Sequence, residues 1–365
     1  MEKQFRIDYI FSKMKLKRLA FILSLSWIIS GYVLGQVRVI DNVDGRIVPY
    51  AQIMDEKGVT IGFVDANGIF PEDINKGKVT IQHMSYYPKE IECSKFRKDT
   101  CISLTPRDYM LDEVEITSKA NDYIHLRTYF RSYQLNDSCL KYFKEGFADF
   151  FIRLKNRKVK RFVTQTRVLA NKKMISEDKK HANMLVDKYI TTPSLGNGTL
   201  LEELKEDGCS YQSDSTLAYL YDDGIRVGSV EKDTKNGVCV VTYDALEGRG
   251  EKKGTLFGYT TRLVYNYQTE VYRNLNEYKS FIDLLCKKGY RKLFYRYKKD
   301  PKEQMVEVMD ELYVLKGEYI SSDKMKDVIS YLKLAENKES VETLIIPPLN
   351  EHFSFVLKTE MVPIK

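Results

Sequence analysis

Between Val37 and Leu104 turn chemistry interrupts the chain about every 8 to 12 residues, which leaves no room for a helix of ordinary length and confines this stretch to short strands. Val43-Asp44-Gly45, Glu56-Lys57-Gly58 and Asp65-Ala66-Asn67-Gly68 are turns. The alternating runs between and beyond them, among them residues 37–41, 49–54, 60–64, 78–84, 88–93 and 101–104, read as strands, about seven in roughly 80 residues. Asn67-Gly68 is the sharpest local signal, since both residues tolerate the positive φ of a tight turn. The pattern predicts a β-sandwich. Aromatic usage extends the β bias over the whole chain, because 26 Tyr and 17 Phe accompany a single Trp and such rings pack well on half-buried pleated surfaces.

Several segments also resemble a known family. Residues 37–41, Pro49-Tyr50-Ala51-Gln52-Ile53, the stretch 62–70 with its Val64-Asp65-Ala66-Asn67-Gly68-Ile69-Phe70 core, residues 79–87 and Leu111-Asp112-Glu113-Val114-Glu115-Ile116 look like the carboxypeptidase regulatory-like domain. That family is a transthyretin-like β-sandwich common at the N-terminus of exported proteins of Gram-negative envelopes. Ser85-Tyr86-Tyr87 departs from its usual small-Gly-Tyr turn. The resemblance covers residues 36–117 and implies an accessory module. The zinc chemistry of the associated peptidases belongs to another domain, and none of His83, His125, His181 and His352 opens an H-x-x-E or H-E-x-x-H motif. No metal or other cofactor is expected.

Of the formal net charge of +7, residues 1–35 contribute +4. Met14-Lys15-Leu16-Lys17-Arg18 followed by the apolar residues 19–34 has the n-region and h-region of a secretory signal, with a cut after Gly35. Met14 is an alternative start. Retention as an anchor is the competing reading, although the apolar stretch is shorter than the ~20 residues of a spanning helix. Nothing later approaches that length, so the mature chain is expected to lack a transmembrane span and to be periplasmic, associated with the outer membrane or secreted. Export puts the six cysteines where disulfides persist. Cys93 and Cys101 flank a short polar connection, and a bridge between them and two separate thiols are both open.

Residues 118–365 carry +7 against −4 for residues 36–117. This second module reads as β-rich α+β, a curved antiparallel sheet or half-barrel packed on helices, and as able to fold without the first. Residues 147–154 and 159–169 form a predicted hairpin. Further strands are expected at 218–221, 237–243, 256–267, 292–297, 305–314 and 353–361, and helices at 176–189, 276–287 and 325–334; residues 123–133 and 136–144 are ambiguous. Between Arg153 and Lys173 nine basic residues occur without an acid. Arg153, Lys155, Arg157, Lys158, Lys160, Arg161 and Arg167 are therefore a candidate surface for an anionic lipid, an acidic polysaccharide or an envelope protein, or else the solvated face of a hairpin. The basic and aromatic run 290–299 invites nucleic acid, but export argues against that partner.

Catalytic templates are missing: there is no G-x-S-x-G elbow, and residues 248–255 lack the order of a phosphate loop. Glu202/Glu203, Asp222/Asp223 and Asp310/Glu311 are adjacent in sequence, so the members of each pair diverge, and they read as surface charge. The sequence thus points to a non-enzymatic binding or scaffolding protein. The alternatives are a lipid or lipoprotein carrier with an apolar trough in residues 256–267 and 305–314, and a hydrolase of unfamiliar type.

Overall fold

The computed structural model describes residues 36–95, 100–107, 121–178, 188–211, 216–256, 258–276, 279–334, 349 and 351–364. The signal segment with its cut, the 111–116 element, and most of the helix expected at 176–189 lie outside these residues. Among the described residues the chain is mainly β with some α.

Among the described residues six strands form the first module: β1 (Arg38–Asp41), β2 (Gln52–Met54), β3 (Thr60–Phe63), β4 (Lys78–Gln82), β5 (Lys89–Glu92) and β6 (Cys101–Leu104). β1 pairs with β6 in parallel, and the order β3-β2-β4-β5 makes an antiparallel sheet. Between the sheets lies a core of Val39, Val48, Ile53, Val64, Phe70, Ile81, Tyr86, Ile102 and Leu104. The Asn67-Gly68 turn forms as its residue types require. The Asp65 carboxylate accepts from Asn67 N and Ile69 N at 2.8 and 2.7 Å, and Gly68 sits at φ +73°, where an added Cβ would come within 2.9 Å of Ile47.

The remaining strands build one open, eleven-stranded antiparallel sheet: β7 (Tyr123–Asn136), β8 (Cys139–Arg153), β9 (Val159–Asn171), β10 (Leu217–Asp222), β11 (Ile225–Asp233), β12 (Val238–Asp244), β13 (Lys252–Leu256), β14 (Tyr259–Tyr272), β15 (Leu284–Tyr297), β16 (Gln304–Ile320) and β17 (Met361–Pro363). Its order is β10-β11-β12-β14-β15-β16-β7-β8-β9-β17, with β13 on β14. Among the described residues four α-helices accompany it: α1 (Lys172–Asp178), α2 (Leu200–Glu206), α3 (Ser322–Leu334) and α4 (Glu351–Thr359).

Two expected elements change type. The helix at 276–287 is replaced by a single 3-10 turn at Phe281–Asp283 and the start of β15. Phe281 and Ile282 still bury their side chains, but the residues that follow pair with β14 and β16 on both sides, so strand hydrogen bonds on two edges override a helical apolar spacing. The strand at 353–361 is instead α4 followed by β17, with Phe353 and Val356 one helical turn apart on the buried side.

Both faces of the large sheet are covered. On the distal face the 188–211 segment lays Leu195, Leu200, Leu201 and Leu204 over Leu126, Phe130, Phe150 and Leu312. On the proximal face the sandwich inserts Val59, Phe63 and Met84 among Tyr133, Tyr267, Tyr290, Tyr129 and Val271, while α4 and α3 cover the β7–β9 end. Phe63 stacks on Tyr267 with ring centroids 4.1 Å apart. Polar bonds complete the joint: Arg46 to Lys232 O at 2.8 Å, Tyr219 to Ala66 O at 2.9 Å, Lys288 to Gln52 Oε1 at 2.9 Å, and Lys292 to Thr60 O at 3.3 Å.

Candidate functional site

The seven basic residues singled out from the sequence all lie on the β8–β9 hairpin or on β9, and all are exposed. Arg153 N donates to Lys158 O at 3.0 Å and Arg157 N to Arg153 O at 2.8 Å, while Arg157 takes φ +56° to close the turn. Side-chain bonding then divides the cluster. Arg157 pairs with Glu202 of α2 at 2.9 Å, Arg161 donates to Thr192 O and Pro193 O at 2.8 and 3.1 Å, and Arg167 pairs with Glu145 on β8. These three anchor the hairpin to the body. Arg153, Lys155, Lys158 and Lys160 form no ion pair among the described residues and crowd the hairpin tip, so their field faces solvent.

A second charged feature was not apparent from the sequence. Ser229, Thr242, Thr269, Lys288, Glu311, Arg131, Glu145 and Arg167 stand directly opposite one another across eight successive strands, from β11 to β9. One apolar row flanks this ladder with Val240, Val271, Cys286, Tyr313, Tyr129 and Phe147; on the other side Tyr267, Tyr290, Met309, Tyr133, Phe143 and Leu169 form a second. Arg131 and Glu311 are paired and both buried, at 4 % and 2 % exposure. Burial by itself would raise the Glu311 pKa, but the Arg131 guanidinium and the Lys288 ammonium outweigh it and hold the carboxyl below its usual range. Burial pushes Lys288 down, with Glu311 only partly opposing it.

Glu311 corrects one expectation from sequence. Of the Asp310/Glu311 pair, Asp310 faces Ser132 and Arg291 on the distal side, whereas Glu311 lies in the proximal interior. Adjacent residues do diverge, but both faces here are covered, so neither is ordinary surface charge. Period-two reading carries the signal: Arg131 lies between Tyr129 and Tyr133, Glu311 between Met309 and Tyr313, and Lys288 between Cys286 and Tyr290. A charge flanked at i±2 by residues of an apolar face belongs to that face.

The stretches expected to form an acyl-binding trough are occupied by protein. Tyr265 and Tyr267 meet Phe63, and Val306 and Val308 pack with Tyr189, Tyr259 and Leu293. A cavity of about 40 Å³ remains between sandwich and sheet, lined by Tyr50, Gln52, His83, Thr242, Lys288 and Tyr290 among others. Such a volume suits a few waters and not an acyl chain. All six cysteines are free, so the bridge considered between Cys93 and Cys101 is not formed. Cys93 is buried just after β5 in one sheet of the sandwich, and Cys101 is exposed at the start of β6 in the other. Among the described residues no three metal-ligating side chains converge, and no helix is long and apolar enough to cross a membrane.

No protein-family model and no curated protein matches the chain. Among solved structures, one titled "Lipid-protein interactions in lipovitellin" aligns with 6% identity over 60% of this chain and 26% of that one, at a TM-score of 0.21. The chain therefore spans about a quarter of that protein's length, and a superposition this loose does not establish a common fold.

Proposed function

We propose that the protein is a non-enzymatic binding or scaffolding component of the bacterial envelope, exported by its N-terminal segment, whose β8–β9 hairpin engages an anionic partner. The sandwich, on this reading a carboxypeptidase regulatory-like module, acts as a structural brace on the large sheet. One observation carries the reading: four cations, Arg153, Lys155, Lys158 and Lys160, are exposed together at a turn that Arg157 and Arg161 fasten to the body, none of them in an ion pair among the described residues, with Asp122 acting on Arg153 alone. A fixed cluster of like charge gives up little conformational freedom on meeting an anion, which favours binding over a loose tail of the same composition.

The test is retention of residues 36–365 on a sulfated polysaccharide matrix. Retention at low salt that weakens steeply with ionic strength and is lost in the Lys155→Glu/Lys158→Glu/Lys160→Glu variant supports the proposal. Equal retention of parent and variant, or none by either, overturns it.

A further inference from the structure

β9 is the outermost long strand at its end of the sheet, and β17 covers only part of its free edge, opposite Leu169, Ala170 and Asn171, with one further bond from Ile364 N to Val168 O. Nearer the hairpin the edge continues without a strand. The bond from Arg153 N to Lys158 O makes those two a hydrogen-bonded pair, and antiparallel pairing alternates from there. Lys160 and Phe162 therefore turn their backbone groups toward β8, while Val159, Arg161 and Val163 turn theirs outward. Among the described residues nothing bonds to the outward N–H and C=O groups of these three. The open edge from Val159 to Thr164 is about 20 Å long, and Val163 is 39 % exposed.

Resting on the anionic-partner reading, we propose that the partner is an extended acidic polypeptide segment that adds to β9 as a further strand. Two features select this occupant. A backbone edge gives affinity only to a partner with its own backbone donors and acceptors, and the Lys155, Lys158 and Lys160 side chains flanking the edge favour carboxylates across or beside it. A second copy of β9 would set these cations against their own kind, so the charges that attract an acidic strand repel self-pairing. β17 shows that this edge accepts an antiparallel strand within the molecule, and the proposed segment continues that line toward the hairpin tip.

The test uses residues 36–365, a nine-residue peptide alternating Glu with Thr and Val, the same peptide N-methylated at alternate amides along either edge, and a sulfated oligosaccharide of similar charge. Expected are peptide binding by fluorescence anisotropy, a loss of about tenfold or more on methylation of the pairing edge, and slowed amide exchange at Val159, Arg161 and Val163. Val163→Pro removes an outward N–H without touching a β8–β9 bond and retains the cations. It should lose the peptide and keep the oligosaccharide. Oligosaccharide binding with equal affinity for plain and both methylated peptides overturns strand addition while leaving the basic hairpin as an anion site; binding of none of the probes removes both. A parent that is dimeric by sedimentation and made monomeric by Val163→Pro assigns the edge to a second copy and also overturns the proposal.

Discussion

At the scale of single residues, Glu311 and Glu307 look alike in sequence and behave oppositely in the fold. Glu311 is flanked by two cations and its pKa is lowered; a carboxylate with a depressed folded pKa adds stability above its unfolded value of 4.5, and that stability is lost as pH falls through the folded value. Burial raises Glu307, with Lys292, the Tyr290 hydroxyl and Thr60 N only partly compensating, so its ionisation counts against the fold as pH rises through 4.5. Glu311→Gln should therefore cost about 3 to 5 kcal/mol at neutral pH, since it breaks the buried Arg131–Glu311 pair by removing one charge, and should flatten the acid limb of the stability curve below pH 4.5. Glu307→Gln should stay within about 1 kcal/mol of the parent. Urea midpoints across pH 3 to 8, roughly the range over which carboxylates titrate and settle, check both. A Glu307→Gln loss as large as that of Glu311→Gln would refute the contrast.

At the scale of elements, the sandwich is a cover as much as a module. It lays Val59, Phe63 and Met84 on a face that also carries Lys288 and Glu311, and removing it would expose aromatic rings and buried charge together. Where the sequence suggests a second module able to fold alone, a chain beginning at residue 118 is expected to aggregate or to bind a hydrophobic dye far more strongly than the parent. A monomeric, dye-silent fragment with a sharp melting transition would show that the cover is dispensable. The elements themselves were legible in the sequence to the extent that local chemistry decided them. The turns at Gly45, Gly58 and Gly68, the β8–β9 hairpin and α3 follow from turn residues and periodicity. The stretch 353–361 did not, because α4 and β17 share one short apolar run. The basic hairpin was legible because its cations are contiguous, whereas the ladder was not, because its members come from strands up to 180 residues apart and meet only through register.

At the scale of the molecule, the interface makes sandwich and sheet one body, tied by ring stacking, by Arg46 to Lys232 and by Lys292 to Thr60. Urea unfolding followed by far-ultraviolet circular dichroism and by tyrosine fluorescence is expected to give a single coincident transition. Two separated transitions would mean that the modules hold together less firmly than each holds itself.

Long antiparallel strands can mispair in a way that apolar patterning does not detect. A slip of one residue turns the wrong face inward, but a slip of two keeps every face correct. Between β16 and β7 a two-residue slip would set Glu311 against Tyr129 or Tyr133, and Arg131 against Met309 or Tyr313, separating the buried Arg131–Glu311 pair even though Lys288 and Glu145 stay opposite them on the outer strands. The charged row thus serves as a checksum on assembly, penalising through a separated buried ion pair the misalignments that the rest of the sheet would accept.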